Sequence, residues 1–225
     1  MIAIGFDVYG TLVDPVGEME RVFAPLFGSR SAQAARDWRA KQVEYAFRRG
    51  LMRAAVTFED CARQALQWTA ALHGVAISEG ALGEVLAAYR RLPAFPEARA
   101  ALAALRGPRT RMVAFSNGSP EAVDETLRHA GLRDLLDGVV SVREVGSFKP
   151  DPAVYELLVA RSGVPAGRTW LVSANGWDVL GAKGAGIRAA WVKRAGAPPF
   201  DPWEDEPDVV VGGLGELAEA IARVG

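Results

Sequence analysis

The sequence predicts a doubly wound α/β fold, a Rossmann-like parallel-sheet core with an inserted helical cap. Two observations point to the core. Six short apolar runs are nearly continuous rather than alternating, as in strands covered on both faces. Helical patterns separate most of them, the alternation that builds a parallel sheet. A third observation points to the cap: from Pro15 to Pro93 the chain shows helical patterns and no strand. A block of about 80 residues is too long for an ordinary crossover.

Ile2–Tyr9, rich in Ile, Ala, Val and Phe, is the first strand. The cap, 15–93, then carries helical patterns at Gly17–Phe27, Ser31–Gly50, Phe58–His73 and Ser78–Leu92. The core, 1–14 and 94–225, resumes with a helix over Glu97–Leu105 and a strand over Thr110–Asn117. Ser119 suits an N-cap and Pro120 a first helical residue, so Pro120–Ala130 is the next helix. Gly138–Val142, Thr169–Asn175, Arg188–Lys193 and Asp208–Val211 complete the strands. Pro152–Arg161, a helix running towards Gly184 and Gly186, and Leu214–Arg223 complete the helices, with Pro198–Pro207 as a Pro- and acid-rich surface loop.

Composition narrows the chemistry. The 225 residues are enough to bury roughly 70 % of the unfolded chain's surface. Twenty-six basic against 27 acidic side chains leave a net charge of −1, which is no footprint for nucleic acid. No apolar run approaches the roughly 18 residues of a membrane span. The N-terminus has no basic leader, so a soluble cytoplasmic protein is expected. The single cysteine, Cys61, falls mid-helix and reads as packing. His73 and His129 each lie just before a glycine that ends a helix, where a cation is favoured, and far from any strand end. A Ser-His-Asp triad and a His/Cys metal centre are therefore excluded, and neither metal nor cofactor is expected.

Ligands of open parallel sheets collect at the carboxyl ends of the strands. There the sequence offers Asp7, the Ser116-Asn117-Gly118-Ser119 run, Lys149 and the Ser173-Ala174-Asn175-Gly176-Trp177-Asp178 run. Each has a plain structural reading. Asp7 could cap a turn, Lys149 could be a solvated lysine, and Asp178 could complement a helix dipole. Trp177 could be a lid or a packing residue. Read for chemistry, Asp7 is a desolvated nucleophile with Lys149 as its counter-ion, and the helix start after Ser119 is an anion site. In the cap, Arg39 shares a helical stripe with Val43 and Phe47, and either snorkels or holds an anion.

Taken in order, these segments resemble the haloacid dehalogenase superfamily and, within it, the L-2-haloacid dehalogenases. Phe6-Asp7-Val8-Tyr9-Gly10-Thr11-Leu12 matches the first motif, Ser116-Asn117-Gly118-Ser119 the second, Lys149-Pro150 the third and Ser173 to Asp178 the fourth. The likeness extends to Trp38-Arg39-x-Lys41-Gln42-x-Glu44-Tyr45 in the cap. The superfamily's phosphatases carry a second Asp where Tyr9 stands and a Mg²⁺-binding Asp where Ala174 stands, so metal-dependent phosphoryl transfer is disfavoured. The resemblance implies that Asp7 displaces halide from the α-carbon of an L-2-haloacid with inversion, forming an ester. Arg39 and Asn117 would then receive the halide, and Ser116 the substrate carboxylate. Water set by Asp178, Asn175 and Ser173 would cleave the ester, with Lys149, Thr11 and Tyr155 in support. Tyr9, Gln42, Phe58 and Trp177 match positions around the substrate pocket. A homodimer is implied as well. Fluoroacetate or azetidine-2-carboxylate hydrolysis, phosphohydrolysis and a catalytically silent binding role are the alternatives.

Overall fold

The structure is a computed structural model that describes residues 1–54 and 56–224. Six parallel strands form one sheet in the order β3-β2-β1-β4-β5-β6. They are β1 (Ile2–Phe6), β2 (Thr110–Ser116), β3 (Gly138–Ser141), β4 (Thr169–Ser173), β5 (Arg188–Val192) and β6 (Val209–Val211). β1 lies at the centre, pairing with β2 from Ile2 opposite Thr110 and with β4 from Ala3 opposite Thr169. Strand order reverses at β1, so its carboxyl end opens into the crevice where such sheets bind ligands. Ile4, Phe6, Phe115, Trp170, Leu171 and Val172 are buried, as continuous apolar strands require.

Between β1 and β2 run α1 (Pro15–Phe27), α2 (Ser31–Met52), α3 (Phe58–Leu72) and α4 (Glu79–Tyr89), then α5 (Ala98–Leu105). Asp14 caps α1 through the N–H groups of Val16 and Gly17, with Pro15 as the first helical residue. α3 opens with a capping box in which Thr57 and Asp60 satisfy each other's backbone N–H groups. α2 packs against both α1 and α3, with Phe23, Trp38, Ala62 and Leu66 all fully buried. Trp38 donates its indole N–H to the Ala62 carbonyl at 3.0 Å, so even this large ring leaves no polar group unpaired. The remaining helices are α6 (Pro120–His129), α7 (Pro152–Ser162), α8 (Gly176–Gly184) and α9 (Leu217–Val224).

Every expected strand and helix is present, but several ends differ. β1, β2 and β4 stop before Asp7, Asn117 and Ala174, short of the expected ends at Tyr9, Asn117 and Asn175. After Phe6 the ladder closes with one more bond, Asp7 N–H to the Val172 carbonyl at 2.9 Å, and the chain then turns. Gly10, at φ +97°, supplies the left-handed residue of that turn. Polar side chains at a strand end pull the backbone out of the ladder into turns that hydrogen-bond locally, which apolar runs alone do not reveal. No described helix is long and apolar enough to cross a membrane.

Candidate active site

The turns after β1, β2 and β4 and the loop before α7 converge on Asp7, which is only 6 % exposed. Its Oδ2 accepts from Thr11 Oγ1 at 2.8 Å and from Asn175 Nδ2 at 2.9 Å. Its Oδ1 meets Lys149 Nζ at 3.2 Å. Thr11 is itself fixed, because its Oγ1 accepts the Ala174 N–H at 2.9 Å. Asn175 is set by its own N–H, which donates to Ser173 Oγ at 3.1 Å.

Lys149 is almost wholly buried, and its ammonium is shared. It reaches Asp178 Oδ2 at 2.9 Å and the Phe115 carbonyl at 2.9 Å as well as Asp7. Three acceptors for three N–H donors leave no proton unpaired. Two buried carboxylates face one ammonium, so this cluster is held by compensation and not by solvent. Asp178, fully buried in the first turn of α8, accepts from Tyr155 Oη at 2.8 Å on its other oxygen. Burial pushes the Asp178 carboxyl above its ordinary value; the Asp7 charge adds to this, while Lys149 and the Tyr155 hydroxyl oppose it. Burial and the neighbouring Asp178 raise the Tyr155 phenol well above its ordinary value, so it stays a donor.

After β2, Ser116 Oγ accepts the Gly118 N–H at 3.1 Å, and Asn117 Oδ1 accepts the Lys149 N–H at 3.0 Å. Asn117 is thereby turned so that its Nδ2 faces away from Lys149 N and donates to no described residue. Ser119 caps α6 through Ala122 N–H, with Pro120 as the first helical residue. From α2, Arg39 crosses to the turn after β1 and donates to the Tyr9 carbonyl at 2.9 Å and to Gln42 Oε1 at 2.9 Å. Tyr9 stacks on Tyr89 with ring centroids 5.1 Å apart and lies 5.9 Å from Phe58, while Trp177 meets Phe47 edge-on at 5.0 Å. A cleft of about 480 Å³, lined by Phe58, Asn117, Ser119 and Phe148 among others, opens beside this cluster. A buried carboxylate with one lightly bonded oxygen, beside an arginine and an apolar wall, suits attack on a small anionic electrophile.

Comparison with known proteins agrees with this geometry. Residues 1–186 match the family model described as haloacid dehalogenase-like hydrolase. The (S)-2-haloacid dehalogenase of Pseudomonas sp. (strain YL) is 35 % identical over 219 residues, 96 % of this chain and 92 % of that protein. This chain belongs to the L-2-haloacid dehalogenase family. Haloacetate dehalogenase H-2 of Moraxella sp. (strain B) is 34 % identical, covering 98 % of this chain and 97 % of its own. The structure of the L-2-haloacid dehalogenase from Xanthobacter autotrophicus with chloropropionic acid covalently bound superposes with a TM-score of 0.90, at 31 % identity and full coverage of both chains.

Within this dehalogenase fold the expected site residues fall into two groups. Asp7, Thr11, Lys149, Tyr155, Asn175 and Asp178 form one hydrogen-bonded cluster, with Ser173 one bond further out. Arg39, Gln42, Tyr9 and Phe58 gather where α2 meets the turn after β1, while Asn117 reaches the first cluster through the Lys149 N–H and Ser116 bonds only the Gly118 N–H. Asn175 donates straight to Asp7, so its link to Asp178 runs through Asp7 and Lys149. Trp177 packs on Phe47 rather than joining the polar cluster. The sequence reading missed Tyr89. Its hydroxyl bonds Gln42 Nε2 at 3.1 Å, which orients the Gln42 carbonyl towards Arg39. Tyr89 closes a helix far along the chain with no motif around it, so no local signal marks it.

Proposed function

We propose that this enzyme hydrolyses short L-2-haloalkanoic acids to D-2-hydroxy acids with inversion, through a covalent ester on Asp7. The asymmetry of the Asp7 carboxylate carries the reading. Oδ2 is engaged by Thr11 and Asn175, whereas Oδ1 has only the longer Lys149 contact and keeps a lone pair for carbon. Oδ1 attacks the α-carbon opposite the halogen, and the carbon–halogen bond leaves with its electron pair as halide. Arg39 and Asn117 Nδ2 meet charge that develops only as that bond breaks. Ser116 and the N–H groups leading into α6 hold the substrate carboxylate. Tyr9, Gln42, Phe58 and Trp177 wall the pocket.

In the second step Asp178 takes a proton from water, whose oxygen bonds to the Asp7 carbonyl carbon. The carbon–Oδ1 bond then breaks, the product alkoxide takes the proton from Asp178, and Asp7 keeps the water oxygen. One proton and one halide are released per turnover. Asn175 and Thr11 hold Asp7 throughout, and Ser173 sets Asn175. No metal or cofactor enters this scheme, since the cation between the two carboxylates is the Lys149 ammonium. We read residues 15–93 as the cap and 1–14 with 94–225 as the core, in a cytoplasmic homodimer; sedimentation should show twice the 24.0 kDa chain mass.

The test is turnover of L-2-chloropropanoate with excess chelator, with chloride and D-lactate as expected products. Loss of activity on chelation overturns the metal-free scheme. In a single turnover in oxygen-labelled water the label should enter Asp7; label only in lactate overturns the ester. Fluoroacetate, chloroacetate, azetidine-2-carboxylate and a small phosphate ester with Mg²⁺ complete the panel. Turnover of the phosphate ester without dehalogenation would restore a phosphohydrolase.

A further inference from the structure

One glycine close to Asp178 sits against the ring that bonds its carboxylate. Gly181 lies three residues after Asp178 on α8, on the same helical face, and that face packs against Tyr155 of α7. A Cβ at position 181 would stand 2.3 Å from Tyr155 Oη, 2.6 Å from its Cζ and 2.7 Å from its Cε2. The ring has nowhere to retreat: Tyr155 is fully buried, and Phe115 meets it edge-on at 5.7 Å. The hydroxyl that needs this gap donates to Asp178 Oδ1 at 2.8 Å and lies 3.3 Å from the Asp178 carbonyl. Gly184, one turn further on the same helix, has open space around its Cβ position. So α8 itself tolerates side chains nearby, and the demand at 181 comes from Tyr155.

We propose that Gly181 is a positioning residue for ester hydrolysis: the gap it leaves lets the Tyr155 hydroxyl hold Asp178 in place as the base. The inference rests on the dehalogenase reading above and adds to it a division between steps. Halide displacement uses Asp7, Arg39 and Asn117, none of which meets the position-181 gap. Hydrolysis uses Asp178, one oxygen of which is held by Tyr155. With an alanine at 181 the ring is driven off Asp178, which then keeps only Lys149 as a donor. A base that swings away loses its line to the water proton, and a misplacement of about 1 Å costs about 100-fold.

The experiment compares wild-type enzyme with Gly181→Ala, Tyr155→Phe and Gly184→Ala, using L-2-chloropropanoate in rapid-quench and steady-state runs. For Gly181→Ala we expect a burst of one chloride per site, then steady-state turnover roughly 10- to 100-fold slower than wild type. Intact-mass measurement should find the propanoyl ester on Asp7 during that slow phase. Tyr155→Phe keeps the ring and removes only the hydroxyl, and it should trap the same ester. In both variants the acid limb of the kcat profile moves to higher pH, because a donor to the ionised base is gone. Gly184→Ala should match wild type. An unaltered Gly181→Ala enzyme, or one slowed equally in burst and turnover with no trapped ester, overturns the proposal. Should Gly181→Ala fail to fold, a Tyr155→Phe enzyme without accumulated ester overturns it alone. A wild-type enzyme that releases no halide overturns the dehalogenase reading itself, a result distinct from all of these.

Discussion

Arg39 shows how a side chain of α2 is held against the turn after β1. Its guanidinium donates to the Tyr9 carbonyl and to Gln42 Oε1, and Gln42 is oriented by the Tyr89 hydroxyl. Burial pushes the Tyr89 phenol up to about 12, so it remains protonated across the working range. A lysine cannot reproduce two bonds from one planar fork. Arg39→Lys should therefore lower kcat for chloride displacement about 100-fold, and less for bromide, the better leaving group; equal losses for both would remove Arg39 from the halide's path. Tyr89→Phe should shift the same chloride-to-bromide ratio by about tenfold or less, with the stacking on Tyr9 retained. Cys61 makes a simpler case. Burial raises its thiol to about 11, so a thiol reagent at pH 8 should label nothing in the native enzyme and one site after denaturation. Rapid native labelling would mean that α3 opens.

At the scale of elements, α3 owes its position to its first turn. The Thr57–Asp60 capping box sets where Phe58 enters the site wall, and Glu59 next to it accepts the Ser119 N–H at 3.4 Å, touching the start of α6. Thr57→Ala should cost about 1 kcal/mol, about 2–4 °C in Tm for a chain of this size, read by thermal melting. A change below about 0.2 kcal/mol would mean that packing alone places α3. Capping signals such as Ser119-Pro120 and the apolar strands were legible because each is a local demand of the backbone. Asp7, Lys149 and Asp178 were legible as candidates through their place at strand ends. The pairing of Lys149 with Asp7 was legible in the same way, but the ammonium's second carboxylate, Asp178, was not, because no local pattern encodes a shared ammonium. The same limit explains Tyr89 and Gly181, whose roles exist only once α4 and α8 are packed.

The whole molecule sets the environment of Asp178. Asp178 is fully buried, with Tyr155 of α7 on one carboxylate oxygen and Lys149 on the other, and this burial raises its carboxyl beyond the ordinary range. The sign of the consequence follows from the two steps. In the proposed scheme hydrolysis needs ionised Asp178, so kcat should fall about tenfold per pH unit once the pH drops below that raised value. In the proposed scheme halide displacement does not use Asp178 as a base, and it is Asp7, bonded to Lys149, Thr11 and Asn175, that attacks. Acidification should therefore separate the steps: the chloride burst persists while turnover falls and the Asp7 ester accumulates, observable by rapid quench and intact mass. A burst that vanishes at the same pH as turnover would show that one ionisation controls both steps, and Asp178 would then have no separate part as the base.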